Sequence, residues 1–164
     1  MHDVKALIGL DQALSNVKLR FPSIVVCPLV QGFALAPITK SLAADLASAQ
    51  WGVDHSSAKA SVETFPGLGC LASELSMNGK VAYMSTEFFG GDGGQDAMVW
   101  ENGTIIFALG DGPGSSHGWP NSPVSQALRK MGVIAEVGKD EFDTVGLGKH
   151  RSTERWAAEY APAI

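Results

Sequence analysis

Residues 80–109 show the two-residue period of β-strands and are interrupted by turns that contain glycine. This pattern constrains the fold more than any other part of the chain. In KVAYMSTEFF, Val81 and Tyr83 recur at the two-residue period of a strand. The following stretch, DAMVWENGTIIFALG, contains Asn102-Gly103, the dipeptide most typical of a two-residue hairpin turn. The sequence therefore predicts a three-stranded antiparallel meander over residues 80–109.

A second hairpin is predicted over residues 24–38, where two apolar runs flank Gln31-Gly32. Pro28 indicates an edge strand or a bulge, because proline has no N–H to donate to a neighbouring strand. Near the N-terminus, apolar residues at helical spacing predict an amphipathic helix over residues 4–17.

Caps and helical spacing predict four further helices, and the small polar stretch 52–64 predicts a loop. The helical segments are SLAADLASAQW, PGLGCLASELSMNG, the stretch between Pro123 and Gly132, and TERWAAEY. The expected fold is α+β, an antiparallel sheet (hairpin 24–38 plus meander 80–109) packed with about five short helices. With 164 residues, of which 45% are hydrophobic, we expect a single globular domain over residues 1–164.

The chain is acidic, with a formal net charge of −5 at pH 7. It lacks the basic field that gathers phosphates, so we expect no nucleic-acid partner, whereas a cationic ligand or a basic protein fits this charge. We find no signal peptide at the N-terminus and no uninterrupted apolar run of about 18 residues, so we expect no membrane partner and a cytoplasmic location. Cys27 and Cys70 lie in apolar surroundings and predict buried reduced thiols.

The glycine-rich stretch GGDGGQD, residues 90–96, matches no complete binding motif. Gln95 stands where a calcium repeat requires an aspartate, and a dinucleotide site requires a helix where a strand is predicted to follow. We interpret it first as a bulged hairpin tip that only glycine accepts. Glu87 beside this tip, with Asp92 and Asp96 near it, is a candidate general base or cation ligand, and its alternative is a solvated strand residue.

A second glycine cluster, GDGPGSSHGWPNSP, contains hydroxyl side chains next to His117, the types needed for an activated nucleophile. No serine here lies in the Gly-x-Ser-x-Gly pattern, so a mobile loop is the alternative. Trp119 then either anchors the loop or contacts a partner.

The third cluster is GLGKHRSTERW. It is not a P-loop, because Asp143 replaces the first glycine and His150 replaces the required Ser or Thr. Lys149 and Arg151 precede a predicted helix and are candidates for holding an anion. Alternatively, this basic run forms an ion network with the acidic segment KDEFD. The four histidines lack metal-ligand spacing, and we expect no metal and no cofactor.

The runs VAYMSTEFFGGDGGQDAMVWENG, SQALRKMGV and DEFDTVGLGKHRSTERW, within residues 80–156, resemble a pattern in small uncharacterised bacterial cytosolic proteins. In these proteins an aromatic-Gly-Gly hairpin precedes an apolar-Trp strand and a Gly-Leu-Gly-x-His-Arg segment. Some small acidic bacterial proteins of this kind are immunity proteins that neutralise a toxin from the same locus. The resemblance thus implies an immunity protein.

Two hypotheses follow. In the first, the chain is a protein-binding domain, an immunity or inhibitor protein that occludes a basic partner such as a toxin, with Asp92, Asp96 and Trp119 as contact residues. In the second, it is a small hydrolase-type enzyme in which Glu87, His117 and His150 converge near the glycine-rich loops. We favour the first hypothesis, since the second requires three loops to meet.

Overall fold

A computed structural model describes residues 1–51, 65–89, 92–110 and 120–161. Its centre is a six-stranded antiparallel sheet with helices packed around it, so the predicted α+β fold is confirmed. The strands are β1 (His2–Leu10), β2 (Cys27–Pro28), β3 (Phe33–Pro37), β4 (Val81–Phe89), β5 (Asp92–Glu101) and β6 (Thr104–Gly110), in the spatial order β2-β3-β1-β4-β5-β6. The α-helices are α1 (Asp11–Asn16), α2 (Lys40–Ser48), α3 (Leu68–Leu75), α4 (Pro123–Met131), α5 (Glu141–Val145) and α6 (Thr153–Tyr160).

Apolar side chains are buried on both faces of the sheet. On one face Ile8 and Met84 pack against buried residues of α4, α5 and α6, such as Trp156. On the opposite face Leu7 and Trp100 pack against α1, α2 and α3. The sheet is therefore the middle layer between two groups of helices.

The prediction of a helix over residues 4–17 is wrong for most of its length. Residues 2–10 form the strand β1 between β3 and β4, and only Asp11–Asn16 is α-helical before a 3₁₀ turn at Val17–Leu19. Val4 and Ile8 are buried on one face of the sheet and Leu7 on the other. A strand buried on both faces does not alternate clearly between apolar and polar residues, and here its spacing imitates that of a helix.

The meander over residues 80–109 is confirmed. Strands β4 and β5 pair in one constant register from Val81 opposite Trp100 to Phe89 opposite Asp92. The turn to β6 is at Asn102-Gly103, where φ is 51° and 82°, as a type I′ hairpin turn requires.

The hairpin over residues 24–38 is also confirmed, although its strands are shorter than the apolar runs. Cys27 and Pro28 pair with Leu35 and Ala34 of β3. Strand β2 is at the edge of the sheet, where Pro28 is exposed, as its missing N–H predicts.

The helices predicted after the N-terminal segment begin and end near the expected residues. Thr39 and Ser152 cap α2 and α6 by accepting hydrogen bonds from backbone N–H groups, and α4 has Pro123 in its first turn. Helix α5 was not predicted, since five residues are too few to show a helical period. The loop predicted for residues 52–64 lies outside the described residues. Within the described ranges, no helix is long and apolar enough to cross a bilayer.

Candidate functional site

Polar side chains gather at the end of the sheet where β1 begins and β4 ends. Asp3 lies opposite Glu87, and Lys5 lies opposite Ser85. Ser85 in turn lies opposite Asp96 of β5. These positions share one face of the sheet because side chains alternate along each strand. We call the set Asp3, Lys5, Tyr83, Ser85, Glu87 and Asp96 the sheet-end cluster.

Lys5 is the cation at the centre of this cluster. Its Nζ donates to Asp3 Oδ1 and to Glu87 Oε1, each at 2.8 Å. Burial disfavours the ammonium, but the hydrogen bonds to Asp3 and Glu87 outweigh it and raise the pKa of Lys5. The ammonium side chain is 21% exposed, whereas those of Asp3 and Glu87 are 43% and 55% exposed. The two carboxylates thus share one shielded cation and keep open sides towards solvent.

Tyr83 and Ser85 form the inner side of the cluster, where it meets the apolar core. Both are buried, with exposures of 6% and 7%. Burial raises the pKa of Tyr83, although Ser85 at hydrogen-bonding distance and the charge of Lys5 act in the opposite direction. Sequence reasoning missed these two residues, although the alternation Tyr83, Ser85, Glu87 placed all three on one face.

The glycine-rich tip fixes the position of Glu87. Gly93 pairs with Phe88 in the regular β4–β5 register, so the part of the tip that the structure describes contains no bulge. A Cβ atom at Gly93 would lie 1.7 Å from the carbonyl oxygen of Glu87, and φ there is 143°. Only glycine permits this approach, which confirms that the glycine is structurally required. Asp92 begins β5.

Asp96 is exposed on the neighbouring strand and is accommodated by a second glycine. A Cβ atom at Gly110, opposite Asp96, would come within 2.2 Å of Asp96 Oδ1. The carboxylate of Asp96 therefore lies over the backbone of β6.

The basic segment before α6 joins the same end of the sheet on the other side of β1. The Asp3 N–H donates to the Arg151 carbonyl at 2.8 Å, and the Lys5 N–H donates to Thr153 Oγ1 at 3.0 Å. Arg151 and Glu87 are thus on opposite sides of β1, about 10 Å apart at the backbone, given the usual strand spacing.

The prediction that the basic segment pairs with KDEFD is wrong about the partner. Lys149 Nζ donates to Glu159 Oε1 at 2.7 Å and to the Tyr160 hydroxyl at 3.1 Å, and His150 Nε2 contacts Glu159 as well. The hydrogen bond to Lys149, followed by that to His150, lowers the pKa of Glu159. Within KDEFD, Glu141 instead pairs with Arg129. Glu159, next to the last residue of α6, supplies the carboxylate that pairs with Lys149, which the adjacent acidic run could not reveal.

The predicted catalytic residues are not joined in one contact. Glu87 is paired with Lys5, and His150 is paired with Glu159 and packs edge-on against Trp156 at 4.9 Å between ring centroids. His117 and Trp119 lie outside the described residues. Glu87 Oε1 is bound to the Lys5 ammonium and not to a histidine, so the described residues do not show the acid–base pair that the enzyme hypothesis requires.

Cys27 is buried, and its Sγ donates to the Trp156 carbonyl at 3.5 Å. Burial raises its pKa to about 12, which keeps the thiol protonated and unreactive at neutral pH. Among the described residues, no group of three or more His, Cys, Asp or Glu side chains could hold a metal ion.

The comparisons with known proteins give no relative. No protein-family model matches the chain, and no curated protein and no solved structure matches it either.

Proposed function

We propose that this chain is a protein-binding domain that docks a basic partner on the sheet-end cluster. The observation that carries the proposal is the unequal charge of the cluster, in which the exposed carboxylates of Asp3 and Glu87 share the single ammonium of Lys5. Asp96 is an exposed residue on the neighbouring strand. Complementary charge of this kind speeds association and selects partners.

The rigidity of the cluster supports docking. Its residues lie on three adjacent hydrogen-bonded strands, and the carboxylates of Asp3 and Glu87 are oriented by Lys5. Binding therefore requires little ordering of side chains, and that ordering is one of the main costs of association. The net charge of −5 adds a long-range attraction for a cationic protein.

The mechanism of this proposal is steric occlusion. An immunity or inhibitor protein that covers the basic surface around a partner's active site blocks substrate access without any chemistry of its own. This role suits a cluster in which Lys5 holds the carboxylates of Asp3 and Glu87 and in which Tyr83 and Ser85 are shielded.

The test is affinity capture from the native host lysate at low ionic strength, quantified by mass spectrometry. We expect one basic protein to be recovered stoichiometrically with the natural chain, and to be lost with Glu87→Lys and Asp96→Lys. Glu136→Lys is the matched control, because Glu136 is an exposed carboxylate outside the cluster and its reversal changes the net charge equally.

Inhibition of the purified partner's activity at a one-to-one ratio would support the immunity role. Equal capture by Asp96→Lys and Glu136→Lys would show that general charge, not the cluster, attracts the partner. Raised salt should weaken a true contact, since the Debye length is about 10 Å at 0.1 M.

A further inference from the structure

A shallow cavity of about 420 Å³, broadly open to solvent, lies between the loop after the 3₁₀ turn and the end of α2. Its lining includes the oppositely charged side chains of Arg20 and Asp45, together with Phe21, Ser48 and Gln50. This volume lies in the usual range for small-molecule sites. The cavity shares no residue with the sheet-end cluster.

Arg20 is held in a fixed orientation at one wall of this cavity. Its guanidinium carbon lies 4.3 Å from the centroid of the Trp51 ring, and its Nη2 donates to the Gln50 carbonyl at 3.0 Å. Nη1 donates to Glu74 at 3.1 Å. These two hydrogen bonds use two of the five N–H donors of a guanidinium, and a stacked, oriented arginine is well suited to binding a carboxylate.

The opposite charge is supplied by α2. Asp45 is half-buried and accepts a hydrogen bond from Ser23 Oγ at 2.5 Å, which fixes its carboxylate. The C-terminal end of α2, at Ser48, also lines the cavity, and the last turn of this helix carries no basic residue. The negative end of a helix dipole and a carboxylate both favour a cation.

We propose that this cavity binds a small zwitterion, an amino acid or another aminoalkyl carboxylate, with its carboxylate at Arg20 and its ammonium at Asp45. Each charge of such a ligand meets the opposite charge in one cavity. A ligand with only one charge would meet one attractive group and one repulsive group. Zwitterion binding in this cavity is independent of protein docking on the sheet-end cluster.

The experiment is an NMR titration of the full chain with glycine, γ-aminobutyrate and 6-aminohexanoate, which differ in the distance between the two charges. Butyrate and n-butylammonium are the single-charge controls. We expect at least one zwitterion to shift the amide signals of residues 20–21 and 48–50 saturably, with an affinity about tenfold or more above both single-charge analogues.

Three variants test the assignment of the charges. Asp45→Asn keeps an acceptor for Ser23 and should weaken zwitterion binding at least about tenfold, as should Arg20→Gln. Glu74→Gln is the matched control, because it removes a carboxylate that pairs with Arg20 from outside the cavity lining, so affinity should be unchanged or higher. Amide spectra that match the natural chain show that each variant is folded.

Three results would overturn the proposal. One is the absence of a saturable shift with any of the zwitterions. Another is equal binding of butyrate or n-butylammonium. The third is an Asp45→Asn variant that folds normally and binds the zwitterion as well as the natural chain does.

Discussion

The close approach of β4 and β5 at Gly93 predicts a large loss of stability for Gly93→Ala. The new Cβ atom would lie 1.7 Å from the Glu87 carbonyl oxygen and 2.8 Å from Phe88 Cα, so the overlap is with backbone and cannot be relieved by a side-chain rotation. The φ of 143° adds conformational strain for any L side chain. The hairpin must therefore open at its tip.

The magnitude follows from three contributions. Backbone strain at a position restricted to glycine costs about 1–3 kcal/mol. Loss of the backbone pairing at the tip, where Phe88 lies opposite Gly93 and Phe89 opposite Asp92, costs roughly 0.5–1.5 kcal/mol. Alanine also restricts the unfolded chain, which returns about 0.4–1 kcal/mol. With each contribution near the middle of its range, we expect a net loss of roughly 2–3 kcal/mol in the free energy of unfolding.

Urea unfolding of three alanine variants separates the close approach from backbone strain. At Gly138 φ is also positive, 81°, but a Cβ atom would meet nothing within 4 Å, so Gly138→Ala should cost only about 1 kcal/mol. Gly148→Ala, with open space and no positive φ, should stabilise the fold by about 0.4–1 kcal/mol, because alanine restricts the unfolded chain. If Gly93→Ala and Gly138→Ala lost the same stability within about 0.5 kcal/mol, the close approach would carry no energetic weight and the reasoning would fail.

Three further predictions concern residues away from the hairpin tip. Asp140 is buried and accepts hydrogen bonds from the Asp143 N–H and from Ser125 Oγ. Asp140→Ala should therefore lower the free energy of unfolding, measured in urea, by about 2–3 kcal/mol. A loss smaller than that of Asp140→Asn would contradict this prediction. The pKa of Glu159 is lowered from 4.5, so its ion pairs stabilise the fold above pH 4.5, and this stabilisation is lost as the pH falls below that value. Glu159→Gln should therefore reduce the acid-induced loss of stability, measured between pH 7 and 3. Cys27, with its pKa raised to about 12 by burial, should resist iodoacetamide in the native state at pH 8 and be alkylated in urea; rapid native labelling, located by peptide mapping, would refute its burial.

The residues of the sheet-end cluster differ in how far the sequence predicts them. Glu87 and Asp96 were identified because a glycine-rich tip marks where two strands end, which is a local signal. Lys5, which holds Glu87, lies 82 positions earlier, in a segment whose apolar spacing predicts a helix. Its place opposite Ser85 depends on β1 pairing with β4, and nothing near either residue in the sequence encodes that pairing.

The basic segment shows the same limit at shorter range. Its sequence indicated an ion network, yet the choice between KDEFD and Glu159 depended on how α6 turns back over the segment. Both acidic groups are within ten or so residues of Lys149, so sequence distance alone could not distinguish them.

The sequence by itself determined the features that short-range chemistry decides. The turn at Asn102-Gly103, the proline and glycine that bound α4, and the alternation in β4 each depend on backbone preferences of neighbouring residues. Only the tertiary structure decided that residues 2–10 form a central strand, because burial on both faces replaces the alternation by which a strand is recognised. The same strand pairing assembled the sheet-end cluster, since charges on β1 and β4 become neighbours only when the sheet forms.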